Sequence, residues 1–280
     1  MNPKVSICIP AFQAEKYLPE ALASVRSQSF TDWELIVTED GSQDGTEALV
    51  AEFARSVSQP VRFQRHARNK GLSATRNSGF GAARADWIAL LDADDIWRPE
   101  HLDALLDCRE GSQANFLFSG CRLFSSDTGS TLDTREASAE ICKGIGPALY
   151  AGKVIIQPST VMFHRQVLEK IGIFDVGFSI CNDLEFWLRA AEAEIHFGYS
   201  GKITCDYRKH SQAMSMKSAD LIAEAAAICR RYRNLRAIPS ADRRLVPAQH
   251  FLNAARIAAR QRPLLAARWA VSSAWCRVGL

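Results

Sequence analysis

The strongest structural signal in the 280-residue chain is the stretch Trp87-Ile88-Ala89-Leu90-Leu91-Asp92-Ala93-Asp94-Asp95. Its first five residues are apolar, which is typical of a strand buried on both faces of a sheet. Three carboxylates follow within four positions. Because side chains two residues apart on an extended chain point the same way, Asp92 and Asp94 are expected to face one ligand while Asp95 turns aside.

Two carboxylates on one side of a strand end suit a hard divalent cation. Mg²⁺ and Mn²⁺ prefer oxygen ligands, and they commonly reach a protein through one or two carboxylates plus the phosphates of a substrate. The alternative is structural: Asp92 caps a loop, while Asp94 and Asp95 begin the next helix ahead of Pro99.

Strand and helix patterns alternate four times between the start of the chain and the three carboxylates at 92–95. The apolar runs predict strands over 5–9, 33–38, 61–64 and 87–91, with Pro10 ending the first of them. Such alternation predicts an α/β fold with a parallel sheet covered on both faces and ligands gathered at the carboxyl ends of the strands. The polar or aromatic residues at these ends are Phe12, Gln13, Asp40, Asn69, Asp92 and Asp94. No glycine-rich dinucleotide or P-loop motif follows any strand, so a metal is expected to handle phosphate.

Composition excludes several classes of protein. The eight cysteines include no Cys-x-x-Cys pair, so they are interpreted as small buried hydrophobes in a reducing compartment rather than as zinc ligands or disulfides. The first apolar run is too short for a signal peptide, and no apolar segment approaches the roughly 18 residues of a membrane span. The sequence therefore predicts a cytoplasmic protein, peripheral at most at the inner face of the cell membrane.

The remaining segments are read from their periodicity. A helix after Pro99 and a strand over 115–124 precede a polar stretch, 125–146, that is predicted to be a long surface excursion. Strand character resumes over 154–163, a short helix is predicted over 166–171, and closing strands are predicted over 195–199 and 203–208.

The last part of the chain differs from the rest in net charge. Residues 219–280 carry 11 Lys and Arg against 3 Asp and Glu, a net charge of +8, whereas residues 1–218 carry 23 against 28, a net charge of −5. Three helices are predicted over 221–235, 248–260 and 263–278, separated by Pro239, Pro247 and Pro263. The arginines opposite their apolar faces are Arg230, Arg231, Arg233, Arg256, Arg260 and Arg268. They favour either contact with an anionic membrane or a helical bundle that docks on the catalytic domain or on a second subunit.

Four motifs in a fixed order resemble the family 2 glycosyltransferases of the GT-A fold. They are Val5-Ser6-Ile7-Cys8-Ile9-Pro10-Ala11-Phe12, Glu39-Asp40-Gly41-Ser42-Gln43-Asp44-Gly45-Thr46, Asn69-Lys70-Gly71-Leu72-Ser73-Ala74-Thr75-Arg76-Asn77 and Asp92-Ala93-Asp94-Asp95. The resemblance implies a Rossmann-like, mostly parallel central sheet with helices on both faces. It also implies a nucleotide-diphosphate-sugar donor, Mn²⁺ or Mg²⁺ held by an Asp-x-Asp motif, and single-displacement transfer with inversion at the anomeric carbon.

The resemblance also implies roles for single residues. Asp40 would accept from the nucleotide base and Pro10 and Phe12 would line its pocket, while Asp92 would reach toward the ribose and share the metal with Asp94. Asn69 lies in the third donor motif. Arg76 of the same motif pairs either with the diphosphate or with a neighbouring carboxylate, and Asp44 is better explained as a helix cap. Gln13 and Glu39 stand where the family often has Asn and Asp, which leaves the base open between uridine, thymidine and guanosine.

A later stretch, Asn182-Asp183-Leu184-Glu185-Phe186-Trp187, resembles the family's acceptor-side motif. Asp183 matches the catalytic base, which takes the proton of the acceptor hydroxyl as the donor carbon gains oxocarbenium character. The alternative is that Asn182 or Asp183 only caps a helix, whose dipole would favour the ionised carboxylate. The Gln-x-x-Arg-Trp motif and the membrane spans of processive family members do not occur in the sequence, so one sugar per acceptor encounter is predicted.

The segment Tyr207-Arg208-Lys209-His210 resembles the family's Tyr-Arg-x-His motif, which closes over the donor diphosphate. Arg208, Lys209 and the following Ser215 would then meet phosphate, and His210 would supply a third metal ligand. Otherwise a single histidine in a basic loop is an ordinary surface residue.

These observations predict a glycosyltransferase domain over 1–218, with a nucleotide-sugar half (1–98) and an acceptor half (99–218), followed by a basic helical region, 219–280. The expected partners are a nucleotide-diphosphate-sugar, a carbohydrate or lipid-linked acceptor in surface polysaccharide or glycolipid assembly, and no nucleic acid. Two rivals are a sugar-nucleotide pyrophosphorylase and a non-catalytic nucleotide-sugar or partner-binding protein. Because every motif lies upstream, deleting 219–280 is expected to change association, with a membrane or a second copy, more than chemistry.

Overall fold

The computed structural model describes residues 2–211, 218–235, 238–259 and 262–278. The predicted roles of Ser215 and Arg260 fall outside these residues. The chain divides into two compact units. The first contains residues 1–143, 156–176 and 195–210, and the second contains residues 144–155, 177–194 and 211–280.

A single mixed sheet forms the centre of the first unit. Its strands are β1 (Val5–Ala11), β2 (Trp33–Glu39), β3 (Val61–Arg65), β4 (Trp87–Leu90), β5 (Ile96–Trp97), β6 (Phe116–Ser125), β7 (Thr131–Arg135), β8 (Val161–His164) and β9 (Phe197–Lys209). The strand order is β3-β2-β1-β4-β8-β6-β9-β5, with β7 paired to β6. The first four strands are parallel, β8 runs antiparallel to both β4 and β6, and β9 is parallel to β6. This is the α/β architecture that the alternating pattern predicts.

Helices follow the strands of the first unit and make up most of the second. They are α1 (Leu18–Arg26), α2 (Thr46–Ser56), α3 (Leu72–Ala82), α4 (His101–Ser112), α5 (Ala139–Cys142), α6 (Ile145–Tyr150), α7 (Arg165–Ile171), α8 (Asn182–Glu192), α9 (Ser218–Arg231), α10 (Asp242–Ala258) and α11 (Pro263–Val278). Every residue of β1, β2 and β4 is buried, as expected for strands covered on both faces. Within the described residues, no helix is long and apolar enough to span a bilayer.

Pro10 does not end the first strand, and that prediction was wrong. β1 continues to Ala11, and Pro10 pairs with Thr38 of β2. The Leu91 amide donates to the Cys8 carbonyl, so the backbone amide and carbonyl groups of Cys8 point toward β4. Those of Pro10, two positions later, point to the same side. Pairing with β4 stops at Cys8, and the missing amide hydrogen of Pro10 therefore leaves no ladder bond unmade.

Three further boundaries differ from the predictions. The excursion 125–146 contains β7, which pairs with residues 121–124 of the preceding strand β6, together with α5 and the start of α6. The strand predicted over 154–163 is confined to Val161–His164, after a 3₁₀ turn that begins at Pro158. The two closing strands form one long strand, β9, whose pairing shifts register around Gly120.

Pro247 lies inside α10 rather than between two helices. A proline in a helix interior leaves the carbonyl four residues earlier without its usual amide donor. Here that carbonyl belongs to Arg243, and the hydroxyl of the buried Tyr150 donates to it at 3.2 Å. A distant side chain therefore replaces the lost helical hydrogen bond, and the helix continues through the proline.

Tyr150→Phe is expected to lower the free energy of unfolding by about 1–2 kcal/mol, because the Arg243 carbonyl then loses its donor. Urea denaturation would measure the change. Adding Pro247→Ala to this variant restores a backbone donor for that carbonyl and is expected to recover most of the loss. Equal stabilities of Tyr150→Phe and the natural protein would contradict this explanation.

Candidate active site

The carboxyl ends of β1, β2 and β4 lie side by side at one edge of the first unit. Ala11 pairs with Glu39 in the ladder, and the pairing of β4 with β1 ends opposite Cys8. Phe12 follows β1 and is 47% exposed despite its size, whereas Pro10 is buried. An exposed aromatic ring at this edge offers a flat surface on which a nucleotide base can stack.

Asp40 is a buried hub between the loops that follow β2 and β3. Its Oδ1 accepts from the Lys70 amide at 2.8 Å and lies 2.7 Å from His66 Nδ1, and its Oδ2 accepts from the Gly71 amide at 2.8 Å. A carboxylate offers about four lone-pair sites, so one remains for a ligand donor. Asn69 is exposed beside this hub, and its side-chain oxygen also accepts from the Gly71 amide, at 3.1 Å.

Gly41 allows the same two loops to touch. Its φ of +83° lies in the left-handed region, and a Cβ there would meet the Arg68 backbone at 2.7 Å. No larger residue fits without moving that backbone. The Asp-Gly pair in the second motif is therefore explained by packing as well as by the carboxylate.

Arg76 and Asp92 form a close pair. Arg76 is only 2% exposed, and its Nη2 lies 2.6 Å from Asp92 Oδ1. Burial raises the pKa of Asp92, and the Arg76 guanidinium opposes that shift. Of the two alternatives for Arg76, the structure shows the contact with a neighbouring carboxylate, and contact with a diphosphate stays a prediction.

Asp94 faces the end of β9. Its Oδ2 lies 2.9 Å from His210 Nε2, and its backbone carbonyl accepts from Arg208 Nε at 2.8 Å. The ring of Tyr17 packs against both partners, with its centroid 4.9 Å from that of His210 and 4.7 Å from the Arg208 guanidinium. The Tyr-Arg-x-His segment is thus fixed directly against the Asp-x-Asp loop.

Asp95 has a structural role, consistent with its predicted turn away from the ligand side. It is fully buried and accepts from the Arg208 amide at 2.9 Å and from the Ser159 hydroxyl at 2.6 Å. Burial is the main cause that raises the pKa of Asp95, and the charges of Asp94 and Asp92 add to it. Ser159 Oγ also accepts from the Asp92 amide at 3.0 Å, so one serine orients the whole acidic loop.

The donor set suits the expected cation as a two-residue site. Asp94 and His210 present a carboxylate and an imidazole to each other, whereas Asp92 contacts Arg76. No group of three His, Cys, Asp or Glu side chains suited to a metal occurs within the described ranges. Mn²⁺ and Mg²⁺ usually complete their coordination with water and substrate phosphate, so two protein ligands are enough. Asp92 as a further ligand stays a prediction.

Three supporting residues were missed by the sequence analysis. His66 has a recognisable signal, because it directly follows the third strand at the carboxyl edge of the sheet. Tyr17 and Ser159 have none, since each reaches the site from a loop with no motif of its own. Their contacts depend on the tertiary arrangement alone.

Asp183 lies in the second unit, at the second residue of α8. The helix begins after Cys181, which makes no side-chain capping bond. The Asp183 carboxylate is half-buried, and its Oδ1 accepts from the Leu184 amide at 2.7 Å. This contact gives Asp183 a capping role, and it leaves the assignment as catalytic base a prediction.

Glu224 of α9 holds the turn that precedes Asp183. Its carboxylate accepts from the amides of Ser179, Ile180 and Cys181 at 2.6, 2.7 and 2.9 Å. Tyr232, just after α9, also donates to the buried Glu185 of α8 at 2.6 Å. Two residues of the C-terminal region, Glu224 and Tyr232, therefore support the helix that carries Asp183. The expectation that removal of 219–280 spares the chemistry loses its basis.

Glu224→Gln is expected to reduce stability by about 2 kcal/mol, because hydrogen bonds to a charged acceptor become bonds to a neutral one. If Asp183 is the catalytic base, turnover should fall as well while donor affinity is retained, since Glu224 positions the turn before Asp183. Thermal unfolding and steady-state kinetics would measure both effects. Glu192→Gln, the same change at an exposed site on α8, is the matched control. If the two variants behave alike, Glu224 does not position Asp183.

The sequence of the chain is also similar to that of known proteins. The family model described as glycosyl transferase family 2 matches residues 6–172. One relative, the Escherichia coli UDP-Glc:alpha-D-GlcNAc-diphosphoundecaprenol beta-1,3-glucosyltransferase WfgD, is 29% identical over 124 residues, which is 44% of this chain and 48% of that protein. The chain spans about half the length of the curated relatives it matches first.

Two solved structures show the same fold. Staphylococcus aureus TarS 1–349 in complex with UDP-GlcNAc has a TM-score of 0.71 at 17% identity, over 96% of this chain and 79% of that one. The mannosyltransferase PcManGT from Pyrobaculum calidifontis, in complex with GDP-Man and Mn²⁺, has a TM-score of 0.68 at 14% identity, over 99% and 81%. The predicted GT-A fold with appended C-terminal helices is thereby confirmed. Since the family model covers more than half of its length, the chain belongs to glycosyltransferase family 2.

Proposed function

We propose that the protein is an inverting, divalent-metal-dependent glycosyltransferase that moves one hexosyl or related group per encounter from a nucleotide-diphosphate-sugar to an acceptor hydroxyl. The observation that carries this proposal is the pairing of Asp94 with His210 at 2.9 Å, at the carboxyl edge where Phe12 is exposed. The exposed ring of Phe12 suits the nucleotide base of such a donor, and the carboxylate–imidazole pair at the same sheet edge suits a cation bound to its diphosphate.

Each donor-side residue has a part in this mechanism. Phe12 and Pro10 would flank the base, the remaining acceptor site of Asp40 would receive a base N–H, and Asp94 with His210 would hold Mn²⁺ or Mg²⁺. The bound cation would neutralise charge on the departing diphosphate. Arg208, which is 5% exposed and already fixed to the Asp94 carbonyl, adds positive charge beside that group.

Asp183 serves as the general base. It takes the proton from the acceptor hydroxyl while the acceptor oxygen bonds to the anomeric carbon. The bond between that carbon and the diphosphate oxygen breaks at the same time, and the nucleoside diphosphate leaves with the electron pair. Attack from the face opposite the leaving group inverts the anomeric configuration.

A donor screen tests the proposal. UDP-glucose, UDP-GlcNAc and GDP-mannose, each with and without Mn²⁺, should reveal metal-stimulated release of nucleoside diphosphate, and NMR of the transfer product should show inversion. Formation of nucleoside triphosphate when pyrophosphate is added would indicate a pyrophosphorylase instead. Binding of a donor without any turnover would indicate a non-catalytic protein.

The acceptor and the cellular site are part of the same proposal. WfgD is named for transfer to a diphosphoundecaprenol-linked sugar, which supports a carbohydrate or lipid-linked acceptor in glycolipid or surface polysaccharide assembly. Such an acceptor would place the protein at the inner face of the cell membrane. Co-sedimentation with anionic liposomes at low and high salt, together with light scattering, would show whether 219–280 contacts lipid or a second copy.

A further inference from the structure

The second unit contains a cavity of about 350 Å³ between the end of α9, the start of α10 and the end of α11. Four of its eight lining residues are the arginines Arg230, Arg233, Arg243 and Arg244, and none of the eight is an aspartate or a glutamate. All of them lie outside the elements that carry the donor-side residues.

The guanidinium groups are only partly used by the protein itself. Arg243 Nε donates to the Ile238 carbonyl at 3.1 Å. Within the described residues, the side chains of Arg233 and Arg244 make neither a hydrogen bond nor an ion pair. Like charges gathered in a concave surface repel one another and raise the local concentration of anions. The cluster is therefore most stable when an anion occupies it.

The positive potential reaches the inner wall of the cavity. Cys276 also lines the cavity and is only 5% exposed. Burial raises its pKa, and the charges of Arg230 and Arg233 oppose that shift. Both arginines thus act on the interior of the cavity as well as on the solvent.

We propose that this cavity is a binding site for a phosphate-bearing anion. Guanidinium forks match phosphate oxygens in pairs, and arginine is the residue type favoured for planar, bidentate recognition of phosphate. A volume of 350 Å³ falls in the usual range for small-molecule sites. It accommodates a phosphate or diphosphate together with part of the group it carries.

Two sources share this chemistry, a soluble phosphate compound and the headgroup of a membrane lipid. The test compares a cavity variant, Arg233→Gln/Arg244→Gln, with a control, Arg256→Gln/Arg268→Gln. Both lose two positive charges from the C-terminal helices or their connections, but the control residues are exposed and lie outside the cavity. Calorimetry with inorganic pyrophosphate in EDTA forms one arm. Sedimentation with phosphatidylcholine vesicles, with and without a quarter of phosphatidic acid, forms the other.

The cavity variant is expected to bind at least about tenfold more weakly than the control in one arm, since two charge-assisted contacts are lost. The arm in which this happens identifies the source. Equal weakening of both variants, or no binding by the natural protein in either arm, would overturn the proposal. Thermal unfolding of both variants checks the fold, and Arg244→Gln alone, at an exposed position, repeats the test with the smallest change. The donor screen is independent of these arms, so failure of the sugar-transfer proposal would be seen separately.

Discussion

Asp94→Ala is expected to weaken manganese-dependent binding of the nucleotide-sugar by about 100-fold or more. Loss of even an outer-sphere partner typically costs about 10–100-fold in metal affinity, and Asp94 is the proposed ligand itself. Its carboxylate is one-third exposed and already faces His210, so the substitution removes a ligand without opening a buried cavity. The fold should therefore survive.

Calorimetric titration of the donor, with Mn²⁺ and with EDTA, measures this effect. Asp107→Ala, which removes an exposed carboxylate from α4, is the control for charge. In EDTA the Asp94 variant and the natural protein should bind alike, because only the metal-dependent part of the affinity is lost. A variant that binds the donor as tightly as the natural protein, with the same response to Mn²⁺, would refute the metal assignment.

Many of the residues at the carboxyl edge of the central sheet can be predicted from local sequence. Strands that are buried on both faces read as apolar runs, so β1, β2 and β4 can be found without a structure, and their carboxyl ends locate Phe12, Asp40 and Asp94. Parallel neighbours bring those ends together whatever the details of packing. The grouping of these residues at one edge of the sheet was therefore predictable, and their role in binding a donor stays a prediction.

The contacts that fix the site are less accessible to sequence. His210 comes 116 residues after Asp94, and Ser159 orients the acidic loop from a turn with no motif. Antiparallel β8 joins β4 to β6 although all three lie far apart along the chain. Nothing in a local window records such pairings, because they are selected by the tertiary packing.

The C-terminal region shows the same limit. Pro247 indicates a helix break by every local rule, yet a hydroxyl 97 residues earlier supplies the missing bond. Glu224 looks like an ordinary surface acid on an amphipathic helix, but it accepts from three amides just ahead of Asp183. Composition distinguished this region by its positive charge, and only the structure connects it to the helix that carries Asp183.

Asp183→Asn is expected to lower turnover by about 10²–10⁴-fold, the usual contribution of general-base assistance. Single displacement forms no covalent intermediate, so one base is sufficient and its loss is not compensated elsewhere. Donor affinity should remain nearly unchanged, since the donor-side residues all lie in the first unit. Turnover and donor binding must therefore be measured on the same preparation.

The substitution with asparagine distinguishes the catalytic role of Asp183 from its capping role. Asparagine keeps the shape of Asp183 and an oxygen that can accept from the Leu184 amide, as the aspartate does at 2.7 Å. In the first turn of α8 it loses only the interaction of the negative charge with the helix dipole, about 0.3–1 kcal/mol. If Asp183 had only a capping role, Asp183→Asn would turn over like the natural protein and lose no more stability than this. Glu192→Gln controls for the loss of one negative charge from α8. Turnover of Asp183→Asn within about threefold of that control would sink the catalytic assignment. A collapse in rate, with intact donor binding, unchanged melting temperature and an inverted product from the natural protein, would support it.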